Sequence, residues 1–227
     1  MVVHSTRVAA EMRMLSAELG WQDSNRNAAE ALGLLHDIGR FSQFDEYNTF
    51  SDTASVDHGE RGWNVIRQAE WLSQTPVTER HILLDGVRYH NRRIIPAGLP
   101  IESLRFVQAI RDADKLDIFR VVLDAVESDG FRDLPNMLPD IALERSVSPQ
   151  ILNEVTRQRS GSLHSVRTLG DFLVMQLAWV YDVNYAHTWR CIEERGILPR
   201  ILNQLDDSRA VGAFGEQART FVREQLR

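Results

Sequence analysis

The chain is predicted to be all-α, on three observations. Apolar residues recur at three- and four-residue steps along most of its length, the spacing of one helix face. No segment shows the alternation of a half-buried strand, and there is no internal repeat or low-complexity stretch. The periodic segments are closed by single glycines or proline-bearing turns, at Gly20, Pro76 and 96–100.

The first helix is expected over residues 2–19, where Val8, Met12, Leu15 and Leu19 form one stripe. His4 lies on that stripe one turn before Val8, and Gly20 closes the helix. Alone, such a histidine reads as a core or surface residue. The second helix, Arg26–Ile38, can be capped by Ser24 or Asn25. Alanine and leucine dominate it, so it reads as buried on most sides. It lies within an apolar run, Ala28–Phe41, that is interrupted by His36-Asp37. Burying an imidazole and a carboxylate without partners costs several kcal/mol. A metal ion is a partner that both residues bind well. Gly39 reads as the helix stop, and residues 40–56 as a polar loop carrying Phe44, Tyr47 and Phe50 without a period. That loop is either a substrate-facing lid or plain surface.

Asp57-His58 opens a third helix running to about Leu72. Thr78 caps a fourth, which ends at His90-Asn91, and residues 92–100 form a turn. The fifth, Ser103–Val126, carries Val107, Ile110 and Val121 on one stripe, interrupted by Asp114 and Asp117. These carboxylates need partners: an arginine such as Arg111, or a metal. Residues 127–148 read as an irregular crossing. Helices are expected again over about 149–158, 168–194 and 197–225, with Phe172, Met175, Trp179 and Val183 as core.

The 227 residues make one large domain or a domain with an appended lobe. The expected organisation is a core over 1–126 and a helical extension over 127–227 packed on the same domain. The extension could also cap the pocket or form a homodimer face. A net charge of −6 argues against nucleic-acid polymers and anionic membranes as partners. Cys191 is the only cysteine, so no intrachain disulfide is possible. Without a secretory leader or a spanning run of ~20 apolar residues, the cytoplasm is the expected compartment. Arginine replaces lysine everywhere except at Lys115. Base composition explains this, or position 115 wants a compact ammonium.

The polar residues that interrupt the stripes are His4, His36, Asp37, His58, His90 and Asp114. Their surroundings read His4-Ser-Thr-Arg7-Val, Leu35-His36-Asp37-Ile38-Gly39-Arg40, Asp57-His58-Gly-Glu-Arg61-Gly, Arg88-Tyr-His90-Asn91 and Arg111-Asp-Ala-Asp114-Lys115-Leu116. In this order and spacing, to about Val126, the chain resembles the HD superfamily of metal-dependent phosphohydrolases.

The resemblance implies an HD-domain helical bundle with a metal site at its centre and additional C-terminal helices. His4, His36, Asp37 and Asp114 match the family's core ligands. His58 and His90 stand where two-metal branches hold a second ion, and Asp37 is then the bridge. Asn91 replaces a further histidine of the cyclic-dinucleotide phosphodiesterase branch, whose Gly-Tyr-Pro signature is also absent. The implied activity is hydrolysis of a phosphate ester of a nucleotide or small phosphorylated metabolite by a metal-activated water. One or two divalent ions (Mn, Mg, Fe, Ni, Co or Zn) would be the cofactor. Phosphate oxygens need cations, and Arg7, Arg40, Arg61, Arg88, Arg92 and Lys115 flank the ligands. Arg40 and Arg61 are best placed, while Lys115 can orient a carboxylate or support the leaving group. Two alternatives stay open: a di-iron oxygenase on the same bundle, and a non-catalytic nucleotide-binding sensor.

Overall fold

A computed structural model of the chain describes residues 1–128 and 141–227. The expected all-α class is found. The regular structure among the described residues is helical apart from one isolated bridge between Ala142 and Thr168. The crossing expected over 127–148 falls largely on residues 129–140, outside the described residues. No described helix is long and apolar enough to cross a membrane.

The chain divides into two compact units, Met1–Asp117 and Ile118–Arg227. The first begins with helices α1 (Val2–Glu18) and α2 (Asp23–Leu35), followed by α3 (Ile38–Tyr47), α4 (His58–Arg67) and α5 (Val77–Tyr89). Helix α6 (Ile101–Glu127) starts in the first unit and ends in the second. The predicted stripe of α1 is buried through Val8, Met12 and Leu15. It packs on α2, whose Ala28, Ala29, Leu32 and Gly33 are buried. A Cβ on Gly33 would lie 2.5 Å from Ala9 Cα, so the absence of a side chain sets the close approach of these helices. Ile82 and Val87 of α5, which packs on α2, and Phe106 and Ile110 of α6 are also buried, each with about 2 kcal/mol of burial behind it.

Several boundaries differ from the expectation. Helix α2 starts before Ser24 and ends at Leu35 rather than Ile38, with Gln22 as its N-cap. Residues 40–47, expected as the start of a loop, belong to α3. Its aromatic residues Phe41, Phe44 and Tyr47 are exposed, while the buried face is Gly39 and Gln43. Hydrophobic periodicity therefore points the wrong way there. Gly39 is not a helix stop but lies inside α3, where a Cβ would fall 2.1 Å from His58 O and 2.5 Å from Gly62 N. Helix α4 ends at Arg67, and a separate 3-10 turn covers Glu70–Gln74. Pro76 rather than Thr78 precedes α5.

The second unit contains α7 (Pro149–Gln158), α8 (Leu169–Leu177), α9 (Ala186–Glu194), α10 (Ile197–Leu202) and α11 (Arg209–Gln225). Ser148 caps α7 and Pro149 occupies its first turn, as helix entry favours. Thr168 caps α8, all of which is buried. The continuous helices expected over 168–194 and 197–225 are each broken. The first becomes a 3-10 turn at Ala178–Asp182, then extended backbone at Val183 and Tyr185. The second stops before the solvated Asp206-Asp207-Ser208 stretch, whose short polar side chains favour turns and caps.

Candidate metal centre

The site lies in the first unit and begins with two helix ends of the same design. His36 is the C-cap of α2 and His90 the C-cap of α5. Each folds its ring back on its own helix, donating Nδ1–H to the carbonyl three residues earlier. These bonds are His36 to Gly33 O at 2.8 Å and His90 to Val87 O at 2.8 Å. Asp37 follows as the N-cap position of α3, so the corner between α2 and α3 turns both side chains inward. His4 comes from the first turns of α1, His58 from the start of α4 and Asp114 from α6.

The remaining two imidazoles are braced by carboxylates. His4 Nδ1 lies 2.6 Å from Asp117 Oδ2, and Arg7 grips the same carboxylate. His58 Nδ1 lies 2.7 Å from Asp52 Oδ2. Carbonyls and carboxylates only accept, so all four Nδ1 atoms carry the proton. In a neutral ring each Nε2 is then a lone pair, and these face one another. His4 and His36 meet Nε2 to Nε2 at 3.3 Å, and His58 and His90 at 3.0 Å.

Asp37 lies between the two pairs. Its Oδ2 is 3.7 Å from Nε2 of both His4 and His36, while its Oδ1 is 3.3 Å from His58 Nε2 and 3.6 Å from His90 Nε2. Asp114 Oδ1 completes the first pair, 3.1 Å from His4 Nε2 and 3.7 Å from His36 Nε2. That oxygen is buried with no aligned hydrogen bond. The ligand atoms form three overlapping groups, His4/His36/Asp37, His36/His90/Asp114 and Asp37/His58/His90, each within 4.8 Å.

These residues fit a metal ion. Facing lone pairs repel unless a proton or a cation lies between them. Two imidazole nitrogens on one ion, each ~2.1 Å from it, stand roughly 3.0–3.4 Å apart, and both histidine pairs have that spacing. Imidazole with carboxylate is the donor set of first-row divalent ions.

The titration of the metal-free cluster follows from the same contacts. Burial disfavours a charged His4, but Asp114 and Asp117 outweigh it and push the ring up to about 10. His36 is raised too: burial opposes its charge, and Asp37 and Asp114 prevail. His90 is lowered, since burial outweighs the bond to Asp37. Burial works against ionised Asp37, yet the imidazole of His36 holds it well below the usual carboxylate range. Asp114 is lowered against the same burial cost by His36 and His4. Asp52, despite burial, is brought down to about 2, chiefly by His58.

The cations expected to hold phosphate already have partners in the protein. Arg40 Nε lies 3.2 Å from Asp37 Oδ1, and its NH1 donates to Phe50 O at 2.6 Å. Arg61 bonds Ser42 and Glu46, both at 2.6 Å. Arg88 makes two 2.9 Å bonds to Glu60, and Arg92 lies 3.4 Å from Asp57. Lys115 is half-buried in α6 beside Asp114. Arg111 does not pair with Asp117 but donates to the carbonyls of His90 and Arg92, fixing the end of α5. His81 and His164 are exposed, and His187 contacts Cys191 Sγ at 3.4 Å.

Two residues of the site escaped the sequence reading of ligands. Asp117, expected to find an arginine or a metal, finds Arg7 and serves as the brace behind His4, a role that no local feature signals. Asp52 sits in a stretch without a period and had no signal beyond being an acid six residues before His58.

The family model of the HD domain matches residues 1–118. No curated protein and no solved structure matches the chain. HD domains bind divalent metals and are typically metal-dependent hydrolases, and the histidine–aspartate cluster here is one that could hold such an ion. With the matched segment spanning more than half of the chain, the protein belongs to the HD-domain family.

Proposed function

We propose that the protein is a metal-dependent phosphohydrolase that cleaves a phosphate ester of a nucleotide or small phosphorylated metabolite. The observation that carries this reading is the pair of Nε2-to-Nε2 contacts on either side of Asp37. It supports two ion sites: one formed by His4, His36, Asp37 and Asp114, the other by His58, His90 and Asp37. Asp37 is then shared, with one oxygen toward each pair. A bound divalent ion supplies a water of lowered pKa and positive charge for phosphoryl oxygens.

The chain's own groups prepare that chemistry. The four Nδ1–H bonds fix each ring in the tautomer that presents Nε2 inward. Arg40, beside Asp37, keeps a cation at the edge of the cluster, where a phosphate oxygen can exchange for one of its present partners. Arg61 reaches a phosphate only by leaving Glu46, and that exposed pair is weak enough to yield. Lys115 orients the Asp114 side of the site. The partner in this reading is a small phosphorylated molecule, not a nucleic-acid polymer or a membrane.

The test is a screen of phosphorylated metabolites with manganese, magnesium, nickel, cobalt and iron, read by phosphate release. Turnover that a chelator abolishes supports the reading. Four imidazoles also suit iron. Oxygen consumption by the reduced, iron-loaded protein with no phosphate release would favour the oxygenase alternative. Nucleotide binding without either activity would favour a sensor.

A further inference from the structure

The two histidine pairs are built alike but not braced alike. Each has one ring held by a backbone carbonyl of its own helix, His36 by Gly33 and His90 by Val87. Each has a second ring held by a carboxylate, His4 by Asp117 and His58 by Asp52. Asp117 stands on α6 with its side chain 2 % exposed, and Arg7 balances its charge. Asp52 stands in a three-residue 3-10 turn, Asp52–Ala54, with its side chain 32 % exposed.

The direct donors differ as well. The His4/His36 pair faces two carboxylates, Asp37 and Asp114. The His58/His90 pair has its ion-pair contacts with the far oxygen of Asp37, and Asp114 comes near only its His90 member, in the group shared with His36. An ion on the first pair already claims much of the Asp37 charge. The second pair then depends on Asp52 for negative charge, delivered through the His58 ring.

The surrounding residues are arranged to hold Asp52 in place. The Gln43 amide donates to Asp52 Oδ1, Ser55 Oγ and Val56 O, each at 2.9 Å, tying the turn to α3. Arg40 binds Phe50 O and stands 3.5 Å from Asp52. Asn91 Nδ2 donates to Asp52 Oδ2 at 3.3 Å and to Asp57 Oδ1 at 3.2 Å. A buried glutamine and an asparagine thus serve the brace.

We propose that Asp52 is the positioning residue that decides whether the His58/His90 pair holds an ion, so that the two sites load in order. This rests on the metal-centre reading above. The His4/His36 site fills first and tightly. The second fills only while the 48–57 segment keeps Asp52 against His58, which makes that segment the control point of the two-ion state.

The experiment is a Mn2+ titration of the full chain, stripped by chelation, followed by calorimetry and by the electron paramagnetic resonance of free Mn2+. The wild type is expected to show two classes of site. Asp52→Asn should keep the tight class and weaken the other by roughly ten- to a hundredfold, the usual effect of losing a partner behind a ligand. Asp52→Glu retains the charge and should recover part of the second class. Gln43→Ala, which releases the turn and removes one hydrogen bond to Asp52 while leaving both carboxylates in the chain, should weaken the second class in the same direction and serves if Asp52→Asn does not fold. Two unchanged classes in Asp52→Asn, or loss of the tight class instead, would overturn the proposal. One class in the wild type overturns it as well and leaves the hydrolase reading standing. No binding of Mn2+, iron, nickel or zinc overturns the metal-centre reading itself.

Discussion

His4 and Asp117 meet at 2.6 Å, and Arg7, one helical turn further along α1, grips the same carboxylate through two of its nitrogens. The contact does two things. It fixes which nitrogen of His4 is protonated, and it ties the first turns of α1 to the middle of α6. An Asp117→Asn variant should lose roughly ten- to a hundredfold in affinity for the tight ion while keeping its helical content. Calorimetric titration with Mn2+, beside a circular dichroism spectrum, checks both halves.

Protons and the ion compete for the same place. In the metal-free cluster His4 is pushed up to about 10 and His36 is raised. Metal uptake must therefore release protons at neutral pH, and apparent affinity should climb about tenfold per pH unit for each proton displaced between pH 6 and 9. Calorimetry in buffers of different ionisation enthalpy counts those protons.

The same contacts set the pH profile of stability. His4 has its pKa raised on folding, so its contribution is fully present below its ordinary 6.5 and is lost as pH rises to about 10. Asp52 is depressed, so its contribution is present above its ordinary 3.8 and is lost as pH falls to about 2. The chelated protein should melt at progressively lower temperature from pH 6.5 to 10. The metal-loaded protein, in which no proton occupies the cluster, should show a flatter alkaline limb. Thermal melts across pH with and without chelator measure this.

Gly39→Ala should be severe. A Cβ there meets two backbone atoms, His58 O at 2.1 Å and Gly62 N at 2.5 Å, and neither can swing away as a side chain would. The expected loss is at least about 2 kcal/mol, the upper range for overpacking a tight contact, and is read by urea denaturation. Because α4 carries His58, the second ion should weaken with it.

Arg40 and Arg61 should separate in kinetics on any ester that is turned over. Arg61→Ala removes the bond to Ser42 and an exposed pair with Glu46 that solvent screens, so stability should change little. Arg40→Ala removes the cation beside Asp37 and the tie to Phe50 O, and should lower kcat more than Arg61→Ala does. Steady-state kcat and KM for both variants decide the order.

The fold class was legible from helical spacing, and the cluster from polar residues on those faces taken with the family resemblance that their order carries. Polar groups on apolar helix faces stand out against the period, and His4, His36, Asp37, His58, His90 and Asp114 all do. The braces were less legible. Asp117 answers to Arg7, more than a hundred residues away, and nothing local announces that pairing. Asp52 lies in a segment with no period at all. Helix α3 was hidden because it buries Gly39 and Gln43 and exposes its aromatics. The breaks in the C-terminal helices are made by extended residues around Val183 and by the irregular Asp206-Asp207-Ser208 stretch, where apolar spacing continues across the gap.

The central claim is that the histidine–aspartate cluster holds a divalent ion. Elemental analysis of the purified full chain beside its His36→Ala/Asp37→Ala variant, both exposed to the same metals and then desalted, tests it most directly. Bound transition metal is expected in the wild type and none above background in the variant, which has lost the shared carboxylate and a ring of the tight site. Equal metal in the two proteins, with the variant folded, would contradict it.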